Sequence, residues 1–215
     1  MLVVYTANIG NYDEMWPAPD GVHSVCFSDG SVDAPGWEVR RIQRIMQHPK
    51  GDSLRLKCLP HLWFPDADAW VWLDANMMYN GNPRDLLGYL SDDGIAAFRH
   101  PLYSSVYQEM VATAAAHYRN TDPKAIAEQN EALQAEGFPS DAGLGLTGCL
   151  VRHNTPDICW FNEAWWADIC RWATWRDQFS FTPVLWRVGM RYGEIPGDPR
   201  NHERFSYRGH GCGSS

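Results

Sequence analysis

The 215-residue sequence contains no apolar run near the ~20 residues that span a bilayer, so a membrane-spanning helix is not expected. It opens without the charged and then apolar signature of a secretory leader. Leu2 to Thr6 reads directly as a strand, and a cytoplasmic location is the expectation. Cysteines are few. The six are scattered without a C-x-x-C pair, which argues against a zinc knuckle or a thioredoxin-like redox motif and predicts mostly buried free thiols. Basic residues are outnumbered, 18 Lys and Arg against 26 Asp and Glu, and the net charge of −8 argues against nucleic acid as a partner. No internal repeat is found, and nothing in the sequence addresses the oligomeric state.

What the chain does have is the composition of one globular domain, 45% hydrophobic and 20% charged. We place that domain at residues 1–200, followed by a polar tail at 201–215 rich in Gly and His. Leu2 to Ala7 is an apolar run stopped by Asn8-Ile9-Gly10-Asn11, and His23 to Phe27 is another, closed by Ser28-Asp29-Gly30. Trp37 to Ile42 predicts a third strand. Leu54, Cys58, Leu59 and Leu62 recur at helical spacing between Asp52 and Phe64 and predict one helix. Ala69 to Leu73 is a continuous apolar run leading into Asp74, the profile of a central strand covered on both faces. Gly94 to Phe98 and Leu146 to Val151 predict further strands, Val106 to His117 a helix, and Asp122 to Pro139 a surface helix or excursion. From Trp160 to Trp175 a Trp-dense helix puts Phe161, Trp165, Ile169 and Trp172 on one face. This alternation predicts an α/β fold with a mainly parallel sheet, whose ligands bind beyond the carboxyl ends of the strands. Asn8, Asp29 and Asp74 fall at such ends.

Asp74 and Asn76 carry oxygens two residues apart just past a buried strand. They could share one hard cation, or simply make a turn. Arg55 and Lys57 could reach the same pocket and complement phosphate, or lie on a solvated helix face. Asp29 could bind a ribose hydroxyl or serve as a turn residue before Gly30. Asp177 follows the Trp-rich helix and could act as a general base, or pair with Arg176 or Arg171. Glu109 is the other carboxylate of interest. Late histidines, His202 and His210, could close over a donor as metal ligands or be exposed.

Gly143 to Gly148 spells G-x-G-x-x-G, but a polar segment precedes it and a strand-like stretch follows, the reverse of the context a dinucleotide fingerprint needs. A dinucleotide-dependent oxidoreductase is therefore a minor alternative. Eleven tryptophans raise the other alternative, a non-catalytic carbohydrate-binding module, although Trp70, Trp72, Trp165 and Trp172 read as core.

Taken in order, several short motifs span most of the chain. They are Gly10-Asn11-Tyr12-Asp13, Phe27-Ser28-Asp29, Gly36-Trp37, Lys57-Cys58-Leu59-Pro60-His61, Phe64-Pro65 and Trp72-Leu73-Asp74. Arg99-His100 follows with Glu109 downstream, then Gly148-Cys149, Trp160-Phe161-Asn162-Glu163 and Arg176-Asp177-Gln178-Phe179-Ser180-Phe181. In these the sequence resembles a glycosyltransferase-like family with plant and bacterial members, first catalogued as a domain of unknown function. The resemblance implies a GT-A-like single domain and transfer of a sugar from a nucleoside-diphosphate sugar to an acceptor hydroxyl. It also implies a divalent metal, Mn2+ or Mg2+, at a D-x-D-type motif. By the same likeness Asp74 matches the motif's first acid, with Asn76 as a further metal ligand; His210, from its place in the tail, is the additional candidate. Ala7, Asn8, Asp29, Arg55 and Lys57 would line the nucleotide-sugar site, and Asp177 or Glu109 would serve the acceptor. Asn76 stands where the motif has its second carboxylate, and an amide is the weaker ligand.

Overall fold

A strand buried along its whole length, β1 (Leu2–Ala7), lies inside a seven-stranded sheet. It pairs in parallel with β2 (His23–Ser28) on one side and β4 (Ala69–Leu73) on the other, and β3 (Glu38–Arg41) extends the parallel set beyond β2. On the far side of β4 comes β7 (Gly145–His153), antiparallel to both β4 and β6 (Ile95–Arg99), and β8 (Gly193–Ile195) closes that edge parallel to β6. The order is β3-β2-β1-β4-β7-β6-β8, with β7 alone reversed, so the sheet is mainly parallel and the fold is α/β. This is the mainly parallel, helix-flanked sheet expected above. A small ribbon joins β5 (Met77–Tyr79) to β9 (Phe205–Tyr207). The computed structural model describes residues 1–116 and 121–209.

The central strands read as unbroken apolar runs because both faces of the sheet are covered. Val3, Tyr5, Trp70, Trp72, Ala97 and Leu150 face one layer, and Val4, Val71, Leu73, Ala96, Phe98 and Val151 face the other. The first layer is α1 (Pro49–Cys58), α5 (Pro156–Trp172) and α6 (Asp177–Val188); α3 (Val106–Ala115) and α4 (Pro123–Ala135) pack a third cluster with Phe179. Cys26, Cys58 and Cys149 are buried free thiols. No helix among the described residues is long and apolar enough to cross a membrane.

Two expectations change in detail and a third holds. The single helix between Asp52 and Phe64 is two, because Leu59 precedes Pro60 and is pushed out of the helical region (φ −115°, ψ 51°), so that α2 (Pro60–Trp63) starts afresh. The Trp-dense helix begins earlier, at Pro156, capped by Thr155, and it ends at Trp172, where Ala173 turns left-handed. Gly143 to Gly148 runs into β7 with no helix after it, which leaves the dinucleotide fingerprint without its context.

Candidate active site

Asp74 lies one residue past the end of β4, and its N–H donates to the Gly148 carbonyl (2.8 Å), which fixes the turn against the start of β7. Because β7 runs backwards, its beginning reaches the edge where the parallel strands end. The Asp74 side chain is 34% exposed and shares a face with Trp72, whose indole N–H donates to Oδ1 (2.7 Å). Its partners are side chains, not a cradle of main-chain amides. Gly148 is part of the reason the carboxylate fits: a Cβ there would meet Asp74 Oδ2 at 3.2 Å and Met77 Sδ at 2.9 Å.

Beneath Asp74 is a buried ionic floor. Lys57, only 3% exposed, donates from Nζ to Asp177 Oδ2 (2.5 Å) and Thr147 Oγ1 (3.2 Å) and reaches Asp74 Oδ1 at 3.5 Å. Thr147 Oγ1 in turn donates to Asp177 Oδ2 (2.6 Å). Burial alone would raise the Asp177 carboxyl, but the Lys57 and Lys50 ammonium groups and the two hydrogen bonds outweigh it and hold the group far below the usual range. Burial likewise opposes the Lys57 charge, yet Asp177 and Asp74 keep its affinity for the proton above normal. The floor is a fixed ion pair.

Lys57 is held from behind as well. Its carbonyl, at the end of α1, accepts from Arg152 Nη2 (2.6 Å) and from the Tyr5 hydroxyl (2.8 Å), and Arg152 also reaches the Cys58 carbonyl (3.4 Å). A cation there complements the negative end of the helix dipole. Asp177 opens α6, and its carbonyl accepts from the Trp165 indole (3.0 Å).

Beside the floor, Glu109 is 1% exposed and accepts from Arg176 Nη2 through Oε1 (2.5 Å), while its Oε2 is buried without a hydrogen-bond partner. Burial raises its carboxyl against the pull of Arg176. His100, just past β6, accepts at Nδ1 from the N–H groups of Leu102 (3.2 Å) and Tyr103 (3.0 Å), so its ring proton sits on Nε2. Burial, helped by Arg200 and Arg176, lowers its pKa to about 4.

The other residues expected at the site divide. Ala7 ends β1, buried. Asn8 is buried and clamps the following loop, its amide donating to the Asp13 carbonyl (2.7 Å) and its Oδ1 accepting from the Asp13 N–H (3.2 Å). Asp29 accepts from the Gly10 N–H (2.7 Å) with Arg44 at 3.9 Å. Arg55 leaves the group: its guanidinium stacks over Trp63, 5.2 Å from the ring centre. Asn76 is 1% exposed, donates to the Arg208 carbonyl (2.8 Å) and keeps a buried Oδ1 with no hydrogen-bond partner. His202 packs on Phe98 and Phe205. His210 lies outside the described residues. Arg176, expected as a possible partner of Asp177, pairs with Glu109; Thr147, Arg152 and Lys50 were not anticipated, and of these only Arg152, a lone cation inside an apolar strand run, left a signal in the sequence.

The model of the TOD1/MUCI70 glycosyltransferase-like domain matches residues 39–195, well over half the chain. The chain belongs to this family. The TOD1/MUCI70 match takes in Lys57, Asp74, Asn76, Glu109, Thr147 and Asp177, and begins beyond Asn8 and Asp29. No curated protein matches this TOD1/MUCI70 domain by sequence. A solved apo structure of WbbM, a bifunctional glycosyltransferase, aligns with 91% of this chain at a TM-score of 0.46 and 12% identity, and the match spans 38% of that protein.

Three or more His, Cys, Asp or Glu side chains grouped to hold a metal are not found among the described residues of the TOD1/MUCI70 domain. Two oxygens do remain at the motif, Asp74 Oδ2 above Gly148 and the partnerless Asn76 Oδ1. Two protein oxygens suit an ion that completes its shell with phosphate and water.

Proposed function

We propose that this domain transfers a sugar from a nucleoside-diphosphate sugar to an acceptor hydroxyl, at the edge of the sheet around Asp74. The observation that carries the reading is a part-exposed carboxylate just past a buried central strand, set on the buried Lys57–Asp177–Thr147 floor. Open α/β sheets take their ligands at this edge.

Asp74 and Asn76 would hold a divalent ion, which when bound would offset the charge of the diphosphate. Lys57 would fix Asp74 in orientation and add positive potential beneath the phosphates. In the transfer, the bond from the sugar's anomeric carbon to the diphosphate oxygen breaks and its electron pair leaves with the diphosphate. A bond forms from that carbon to the acceptor oxygen, whose proton must go to a base. Asp177, held far below the usual carboxylate range, is a poor proton acceptor; Glu109, pushed up by burial and with one oxygen unpartnered, is the better one. Asp177 then acts through Lys57 as a positioning residue.

A thermal-shift screen of nucleoside diphosphates and their sugars, with and without Mn2+, finds the donor. Ligand at a hundred times its Kd adds about 2.7 kcal/mol, roughly 5–11 °C for a domain of this size. Asp74→Ala is expected to lose that shift and the transfer activity. A folded Asp74→Ala protein that keeps both sinks the assignment.

A further inference from the structure

Asn76 ties the motif to a segment 132 residues away. Its amide nitrogen donates to the Arg208 carbonyl (2.8 Å), and its own main-chain carbonyl accepts from the Arg208 N–H (2.9 Å) and the Trp16 indole (3.1 Å). The Arg208 pairing extends the β5–β9 ribbon by one rung beyond Met77 and Tyr207.

Each partner is held in turn. The Arg208 guanidinium lies over the Trp16 ring, 3.7 Å from its centre, and forms an ion pair with Glu14 (2.7 Å). The Trp16 carbonyl accepts from the Trp37 indole (2.9 Å). Phe205 packs on Tyr79 and Phe98, with ring centres 4.9 and 5.1 Å apart. A two-stranded ribbon is marginal by itself, so these contacts keep β9 beside the motif.

The same geometry decides which way round the Asn76 side chain sits. The Arg208 carbonyl can only accept, so it faces the amide nitrogen. Oδ1 is on the other prong, buried and without a hydrogen-bond partner. A carboxylate at position 76 could not make this contact, because oxygen would meet oxygen in a place 1% exposed to water. An amide, although the weaker ligand, can dock β9 and still offer an oxygen.

We propose that Asn76 is a joint with two partners: its nitrogen docks β9 and its oxygen is a cation ligand, so that docking and cation binding strengthen each other. This rests on the donor reading above and accounts for the departure from D-x-D. With Oδ1 on a cation, the amide N–H groups become better donors. Linkage then requires docking to raise cation affinity by the same factor. Arg208, acting through its main chain, is a positioning residue.

The test compares wild type, Asn76→Asp and Asn76→Ala. Mn2+ binding is read by electron paramagnetic resonance, with and without inorganic pyrophosphate, and amide exchange by mass spectrometry. In wild type, saturating Mn2+ should slow exchange across 205–208 by about 5-fold or more. Asn76→Asp should melt about 2–12 °C lower and exchange about 10-fold faster at 205–208 without metal. It should bind Mn2+ no tighter than wild type, although a carboxylate is the stronger ligand. Asn76→Ala should bind Mn2+ about 10-fold more weakly, a loss that a purely structural amide would not cause.

Three results overturn the joint and leave the donor reading standing: Asn76→Asp that melts and exchanges like wild type or binds Mn2+ more tightly, Asn76→Ala with wild-type Mn2+ affinity, or, needing no variant, wild-type exchange that Mn2+ uptake leaves unchanged. If wild type takes up no Mn2+ with or without pyrophosphate, the metal part of the donor reading falls and the joint with it.

Discussion

The Lys57–Asp177 pair offers the most stringent test of how the site is built. Both side chains are nearly inaccessible to water, at 4% and 10%, and their charged atoms meet at 2.5 Å. Removing one partner of such a pair strands the other's charge and costs about 3–5 kcal/mol. Lys57→Met and Asp177→Asn should each fall in that range, a drop of roughly 6–20 °C for a chain of this length. The double variant strands neither charge, and replacing a buried pair outright is often close to neutral. It should therefore be more stable than either single variant, with a coupling energy of several kcal/mol. Asp74, one third exposed, can turn to water once Lys57 is gone and should add little. The assay is urea unfolding at pH 7, followed by tryptophan fluorescence, with Trp72 5.6 Å from the Lys57 ammonium as a local reporter. The pH dependence supplies a second reading. In the wild type the depressed Asp177 pKa contributes stability above the unfolded carboxyl's value of 3.8, lost as pH falls through the folded value. In Lys57→Met burial would raise that carboxyl, so its contribution is lost as pH rises, and the gap to wild type should narrow on acidification. Additivity of the two substitutions within about 0.5 kcal/mol would refute the pairing.

Two further outcomes are expected. Gly148→Ala pushes a methyl against Asp74 and Met77; a stability loss of about 1–3 kcal/mol should accompany weaker binding of pyrophosphate, and unchanged binding in a folded variant would show that Asp74 does not depend on that space. His100 titrates near 6.5 when unfolded and near 4 when folded, so between those values the unfolded chain binds the extra proton and stability falls as pH drops. The effect is bounded at about 3 kcal/mol, about 1–2 after solvent screening. His100→Asn keeps an acceptor for the two amides and should flatten that slope in urea titrations at pH 7.5 and 5; an unchanged slope assigns it elsewhere, His61 shifting the same way.

The sheet was readable because its central strands are uninterrupted apolar runs, each closed by a polar residue. The reversal of β7 was not, since a strand covered on both faces looks alike in either direction. The break at Leu59 was hidden by Leu54, Cys58 and Leu62, which keep helical spacing across it, although Pro60 carried the signal. Arg55 and Lys57 were read as a pair, but two residues on a helix are about 200° apart, so only one can face the sheet. Nothing local distinguishes Lys50 or Thr147; the site is assembled through contacts between elements far apart in sequence, such as the 120 residues separating Lys57 and Asp177.

The one reversed strand has a consequence for engineering the domain. Where the chain direction is inverted, the stretch that enters β7, residues 136–144, arrives at the edge of the sheet that carries Asp74, and the connection that leaves it starts from the opposite edge. At about 3.3 Å per residue the nine residues of β7 carry the chain roughly 30 Å from one rim of the molecule to the other. Grafts meant to change which acceptor is taken belong ahead of Gly145, and attachments meant to stay clear of the chemistry belong beyond His153.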